Sequence, residues 1–308
     1  MGQAIKIFQH GDAAALPASM PAPSLSIVTR SPSFDRYGPV PPESPVILSA
    51  PHGGRDYPPA LLEALRVPVD ALRALEDRHV DSLALQARRA ETLFVATRAR
   101  AWIDLNRAEH DRDPQIDSGA HQIGRPLSTK VRSGLGLVPR RVGTVGQLWR
   151  GRFAAEDIAA RIHADHRPYH LALGEALAAA RARFGVAVLL DVHSMPPLGA
   201  PETAPRLVIG DRFGRSAAAR FAARVEGVAQ RHGIATAANT PYAGGHILER
   251  HGDPRRGVHA LQLEFDRAFY LDADLDEPGA GAPAATALLR AIVDAVADEA
   301  LPNALAAE

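Results

Sequence analysis

The chain has 308 residues, 46% of them hydrophobic and 23% charged, enough apolar mass for one large α/β domain or two small ones. Lys+Arg and Asp+Glu both number 35, so the formal net charge is zero and no nucleic acid or other general polyanion is expected as a partner. There is no cysteine, which excludes disulfides and thiolate metal sites; any metal must be held by His, Asp or Glu, and 13 histidines are available.

The N-terminus lacks a charged start followed by a long apolar stretch and does not read as a secretory signal. Lys6 stands where a myristoylation motif beginning at Gly2 needs Ser or Thr. No run of about 18 apolar residues occurs, so no membrane span is expected and the cytoplasm is the default location. Residues 11–45 are rich in Pro, Ser and Ala and lack a period; with the preceding residues they read as an N-terminal arm and loops, 1–45, of a single domain spanning 1–308.

Val46 to Ala50 (VILSA) reads as a buried strand that runs into a loop, Pro51-His52-Gly53-Gly54, whose glycines permit a sharp turn and close approach of a ligand. Residues 70–90 carry helical spacing, with Asp70 as N-cap. Leu93–Thr97 and Ala101–Leu105 read as strands, and Ala108–Arg150 as a long polar, Gly-rich loop of the kind that is usually functional. A helix over 154–183 is interrupted at Pro168. Val186–Leu190, Leu207–Gly210, Ile234–Ala238 and Val258–Phe265 read as strands, with helices over 214–231 and 284–300. Short continuous apolar runs alternating with helices imply an α/β sheet covered on both faces.

Ligand sites in such sheets lie beyond the carboxyl ends of the strands. Four polar clusters occupy such places: His52 with its glycines, Asp104-Leu105-Asn106-Arg107, Asp191-Val192-His193-Ser194, and Glu264. In a strand, Asp191 and His193 share one face, so the carboxylate can orient the imidazole as acids do behind metal-bound histidines. Either histidine alone is read more simply as a loop cap. Two of them after different strands point to a catalytic metal, which needs ligands from separate elements.

For the carboxylate ligand, Glu76, Asp77 and Asp81 are candidates on the 70–90 helix; the alternative is a solvated face paired with Arg73 and Arg78. Glu264 ends an apolar strand, where a carboxylate is costly unless used as a base toward a metal-activated water or paired with Arg267. Arg107, with Asn106, has the chemistry to grip a planar carboxylate; the alternative is a pair with Asp104 or Asp111. His163, His166 and His170 share spacing on one helix face, which reads as a polar face with His170 nearest the site. Gly244-Gly245-His246 reads as a loop near a ligand.

Taken in order, SAPHGGRDYP (49–58), EDRHVDSL (76–83), WIDLNR (102–107), HRPYH (166–170), DVHSMP (191–196), PYAGGHILERHG (241–252) and GVHALQLEFDRAFYLD (257–272) resemble the N-formylglutamate amidohydrolase family, itself similar to zinc carboxypeptidases and aspartoacylases. The resemblance implies a three-layer α/β fold of phosphorylase/hydrolase type, a mixed sheet with helices on both faces. It implies one Zn2+ on His52, His193 and an acid, Asp77 in preference to Glu76, with Glu264 as base and Arg107 and Asn106 on the substrate carboxylate. The implied substrate is N-formyl-L-glutamate or a related N-acyl amino acid. A cell-wall peptide or a non-catalytic carboxylate-binding role are the alternatives. The sequence departs from the family in the Gly-Gly loop, GGHILERHG where the family tends to GG-aromatic-ITRHYG. That loop is expected to line the acyl or side-chain pocket, placing Gly245, His246 and Arg250 at the substrate.

Overall fold

The computed structural model describes residues 27–30, 33–120, 126–143, 145–200 and 202–301. Most of the expected N-terminal arm, 1–26 and 31–32, and residues 121–125 and 144 of the long loop lie outside the described residues.

An eight-stranded mixed sheet runs in the order β1 (Ile27–Arg30), β2 (Phe34–Tyr37), β4 (Thr92–Ala96), β3 (Val46–Ala50), β7 (Ala187–Met195), β10 (Val258–Asp266), β8 (Leu207–Gly210), β9 (Thr236–Ala238). The centre β4-β3-β7-β10 is parallel, β8 lies antiparallel to β10 and parallel to β9, and β1 and β2 close the other edge antiparallel. The segment read as an irregular arm thus contributes two strands, of which β1 forms the edge. Its proline-rich composition concealed a pairing that only the neighbouring strand β4 makes favourable.

Strand periodicity sends alternate side chains to opposite faces. One face buries Val46, Leu48, Val188, Leu190, Leu261 and Leu263 under α2 (Val80–Ala87), α6 (Ala219–Arg231) and α9 (Ala282–Ala300). The other buries Ile47, Leu189 and Ala260 against α5 (Arg167–Phe184) and the loops around it. Both sheet faces are therefore covered, with a core on each side. Full burial of each such aliphatic side chain contributes roughly 1.5–3 kcal/mol. No helix among the described residues is long and apolar enough to cross a membrane.

Three expectations change in the structure. The helix expected over 70–90 is two elements, a 3-10 turn Val69–Leu75 and α2, separated by an irregular segment, Glu76–His79. Asp70 does not cap it; it is exposed and pairs with Arg73. The strand expected at 101–105 is a loop with no ladder partner. The 154–183 helix does not stop at Pro168. It runs as α4 (Ala155–Arg161), a π-helical turn Ile162–His166, and α5, with Pro168 in the first turn of α5. A first-turn position tolerates the missing N–H, and the wider turn before it absorbs the ring. Gly185, in the left-handed conformation, ends α5. The long loop holds a short α3 (Thr129–Arg132) and a two-strand hairpin, β5 (Arg141–Val142) with β6 (Gly146–Gln147).

Candidate metal centre and its surroundings

The site arises from register. In the parallel ladders Ser49 faces Asp191, Asp191 faces Gln262, and His193 faces Glu264. By alternation these five side chains share the α5 face, at the carboxyl ends of β3, β7 and β10. β7 runs on through Asp191 and His193 to Met195, so both residues are within the strand and their common face is enforced. His52 is two residues past the end of β3. Gly54, beside it, is required by packing rather than by a ligand: a Cβ there would collide with the Arg98 carbonyl.

Asp77 enters from the break between the 3-10 turn and α2. Its backbone N–H donates to the His52 carbonyl at 3.0 Å, tying the two loops together. The side chains meet in a triangle: His193 Nδ1 to His52 Nδ1 3.1 Å, His193 Nδ1 to Asp77 Oδ2 3.0 Å, His52 Nδ1 to Asp77 Oδ2 3.4 Å. All three residues are buried. Glu76 turns away toward Tyr57 and Arg78, and Asp81 pairs with Arg55. Asp77 and Asp81, four residues apart in the expected helix, diverge because Asp77 is not helical.

Both imidazoles are held from behind. His52 Nε2–H donates to Asp104 Oδ1 (2.7 Å), and His193 Nε2–H to Asp191 Oδ2 (2.8 Å). Asp104 also accepts from Arg100 Nε (2.8 Å) and the Asn106 N–H (2.8 Å), and Asp191 from Ser49 (2.7 Å). These bonds place the hydrogen on each Nε2 and leave each Nδ1 a lone pair aimed at the other. Two lone pairs and a carboxylate oxygen facing one another at such distances require positive charge between them. A tetrahedral zinc with bonds of about 2.0–2.1 Å separates its ligands by about 3.3 Å, so the donor set fits one divalent ion. Three buried carboxylates, Asp77, Asp104 and Asp191, surround the two rings. In the metal-free chain, and against burial, Asp191 and then Asp77 raise His193 well above its ordinary value, while His193 and His52 hold Asp77 well below its own.

Removing either supporting acid should loosen that grip. Asp191→Asn and Asp104→Asn are each expected to lower metal affinity about 10–100-fold without loss of the fold. Competition against a chromophoric chelator measures it, and unchanged affinity in both variants would refute the support role.

Glu264 lies beside His193 and, among the described residues, accepts from one partner, Gln262 Nε2, at 2.7 Å. The pairing with Arg267 weighed from sequence does not form: Arg267 donates to Asp77 Oδ1, Ser194 and the Glu76 carbonyl. Burial first, with the negative charges of Asp77 and Asp191, pushes Glu264 up to about 7 despite His193 and Arg100. A buried carboxyl poised near neutrality is suited to exchange protons.

Arg107 is buried, with Nε on the Leu135 carbonyl (2.8 Å) and Nη1 on the Asn106 carbonyl (2.7 Å), while Asp104 is 3.9 Å away. Nη2 has no acceptor among the described residues. Asn106 holds the Gly-Gly loop: its Oδ1 accepts from the Ile247 N–H (2.8 Å), and its amide presses on Gly245, where a Cβ would collide with it. Gly245 N–H donates to Gln262 (3.2 Å). His246, the first residue of α7 (His246–His251), sits instead beside His166 and His170, and Arg250 is exposed on the same helix.

The sequence reading missed Asp104 as the partner of His52, because a distant Asp-x-Asn gives no sign of which ring it meets. It also missed Arg100 and Lys130. Arg100 reaches Asp104 and lies in the field of Asp77 and Glu264. Lys130, exposed on α3, is held below the ordinary lysine value by partial desolvation and then by Arg107 and Arg100. Tyr242, raised by burial and the charge of Glu264, borders the same space. The polar face expected for His163, His166 and His170 is not formed: only His163 is exposed, and His166 and His170 point inward. An open groove of about 710 Å³ lined by Ala60, Trp102, Phe153 and Arg161 shares no residue with the triad.

Among known proteins, the family model for N-formylglutamate amidohydrolase matches residues 44–271. The N-formylglutamate deformylase of Pseudomonas aeruginosa is 32% identical over 238 residues, 74% of this chain and 82% of that protein. That of Pseudomonas putida is 30% identical over 244 residues, with the same two coverages. The crystal structure of N-formylglutamate amidohydrolase from Ralstonia eutropha JMP134 superposes with a TM-score of 0.78 at 30% identity, covering 87% of this chain and 98% of that one.

Proposed function

This chain belongs to the N-formylglutamate amidohydrolase family, and from that premise we propose that it hydrolyses N-formyl-L-glutamate to formate and L-glutamate with one zinc ion held by His52, Asp77 and His193. The observation that carries the reading is the convergence of two Nδ1 atoms and a carboxylate oxygen within 3.4 Å with Glu264 on the adjacent strand. When bound, the ion supplies Lewis acidity, which lowers the pKa of a water and polarises the amide carbonyl.

The chain's own groups do the rest. Glu264 accepts a proton from the attacking water and returns it to the amide nitrogen as the C–N bond breaks, so that glutamate leaves as the amine. Its burial keeps bulk water from supplying that proton by another route. Asp104 and Asp191 keep the imidazoles in the tautomer that offers Nδ1 to the ion. Arg107 Nη2 grips a substrate carboxylate and fixes the carbonyl over the site. Arg100 and Lys130 add positive charge beside it, suited to a substrate with two carboxylates.

Arg107→Lys keeps the charge and loses the planar fork. It is expected to raise KM about 10-fold or more, the equivalent of one charged hydrogen bond, with a smaller change in kcat. Steady-state kinetics on N-formyl-L-glutamate decides it; an unaltered KM removes Arg107 from the substrate. The function itself is tested by formate release from a panel of N-formyl and N-acetyl amino acids. Preference for N-formyl-L-glutamate supports the reading. Preference for another N-acyl amino acid reassigns the substrate, and release from none of them favours a binding role.

A further inference from the structure

We propose that His166, His170 and His246 form a second cation site, distinct from the His52–Asp77–His193 centre, that takes a divalent transition metal through imidazole nitrogen alone. Each of the three offers a ring nitrogen, and these atoms lie within 4.8 Å of one another. The tautomers follow from backbone partners. His166 Nε2 lies 2.8 Å from the Arg107 carbonyl and His170 Nε2 2.9 Å from the Leu105 carbonyl. A carbonyl only accepts, so both Nε2 atoms carry the hydrogen and both Nδ1 atoms carry lone pairs.

His166 is fully buried; among the described residues its Nδ1 has no hydrogen-bond partner, the Glu109 carboxylate being 3.9 Å from it, and neither nitrogen of His246 has one. Each such orphan costs about 1–3 kcal/mol, and three together on two adjacent rings are unusual for a packed interior. A cation accounts for two of them, His166 Nδ1 and one nitrogen of His246. His170 Nδ1 accepts from His251 Nε2 at 3.0 Å, so His251 is the reserve donor that a bound ion displaces or recruits. Burial, and then the neighbouring rings or the Arg250 guanidinium, holds His246 at about 4 and His251 at about 3, with His166 and His170 also below the ordinary value. Neutral imidazole is the form that binds metal. Three imidazole nitrogens, with the Glu109 carboxylate 3.9 Å from His166 Nδ1, suit zinc, nickel, cobalt or copper rather than magnesium or calcium. His246 is only half-buried, which leaves an ion a way in.

The two centres share one segment. Asp104 and Asn106 turn their side chains toward His52 and His193, whereas Leu105 and Arg107 turn their carbonyls toward His170 and His166. Occupancy of the second site therefore stiffens the backbone that carries the Arg107 guanidinium.

The test is stoichiometric. The full chain, stripped with chelator, is titrated with Co2+ and separately with Zn2+, and bound metal is counted by elemental analysis while Co2+ coordination is followed by visible absorption. Wild type is expected to bind two equivalents per chain. His246→Phe, which keeps a ring against His166, and His246→Gln are each expected to bind one, and His193→Ala to bind one of different spectrum. Combining His246→Phe with His193→Ala should leave none. A wild-type count of one that His246→Phe does not reduce overturns the proposal, as does a count of two that survives both His246 variants. Failure of the catalytic reading alone looks different, because His193→Ala then leaves the count unchanged while the His246 variants still lower it.

Discussion

Glu264→Gln is expected to lower kcat on N-formyl-L-glutamate by about 10²–10⁴-fold while leaving the metal content at the triad unchanged. Glutamine has nearly the same shape and can still meet Gln262, but it cannot take a proton. It should not harm the fold. A buried carboxyl raised to about 7 is costly to ionise, so a neutral amide is expected to hold or raise Tm above that pH in the metal-free chain. The pH profile carries the same argument with a definite sign. The base must be ionised, so kcat/KM falls as pH drops through the Glu264 pKa. A cation at the triad draws that pKa down, which places the midpoint of the acid limb at or below about 7. Full turnover by Glu264→Gln, or an acid limb unaltered in its residual activity, would sink the assignment of the base.

Exhaustive chelation is expected to abolish turnover and lower Tm by several degrees, with Zn2+ restoring both. The first effect follows because the remaining groups lack any acid strong enough to activate water near pH 7. The second is linkage: an ion present at 1,000 times its dissociation constant stabilises the folded chain by about 4 kcal/mol. His52→Ala and His193→Ala should reproduce the loss of activity at any zinc concentration that saturates wild type. Undiminished hydrolysis by protein shown to hold negligible metal would overturn the zinc reading. A lowered Tm without lost activity would locate the binding at the second histidine cluster instead.

Much of this site was legible one residue at a time. VILSA followed by His52, and the run through Asp191 and His193, show buried strands that lead into or carry imidazoles, and a period of two is enough to place Asp191 behind His193. Glu264 was legible for the same reason, a charge closing an apolar strand. What failed was local. The Glu76–His79 break was hidden because helical spacing on both sides looks continuous; tertiary demand for Asp77 at the triad, and His79 in the left-handed conformation, override it. The 101–105 stretch has strand composition but forms turns, with the Asp104 N–H on the Leu137 carbonyl. His166 and His170 looked like a solvated face because a helix wheel does not say which side meets a neighbour; α7 brings His246 and His251 against them.

By itself the sequence determined the layer architecture, the exclusion of thiolate ligands and which histidines lie toward the carboxyl ends of strands, since these depend on local period and composition. Only the folded chain decided that Asp77 rather than Glu76 faces the imidazoles, that Asp104 backs His52, and that Arg100 and Lys130 join Arg107. Those outcomes depend on the register between strands far apart in sequence and on the direction in which loops leave them. Hydrophobic pattern specifies which face is buried, but it carries no information about which distant polar group will be opposite another once the sheet has closed.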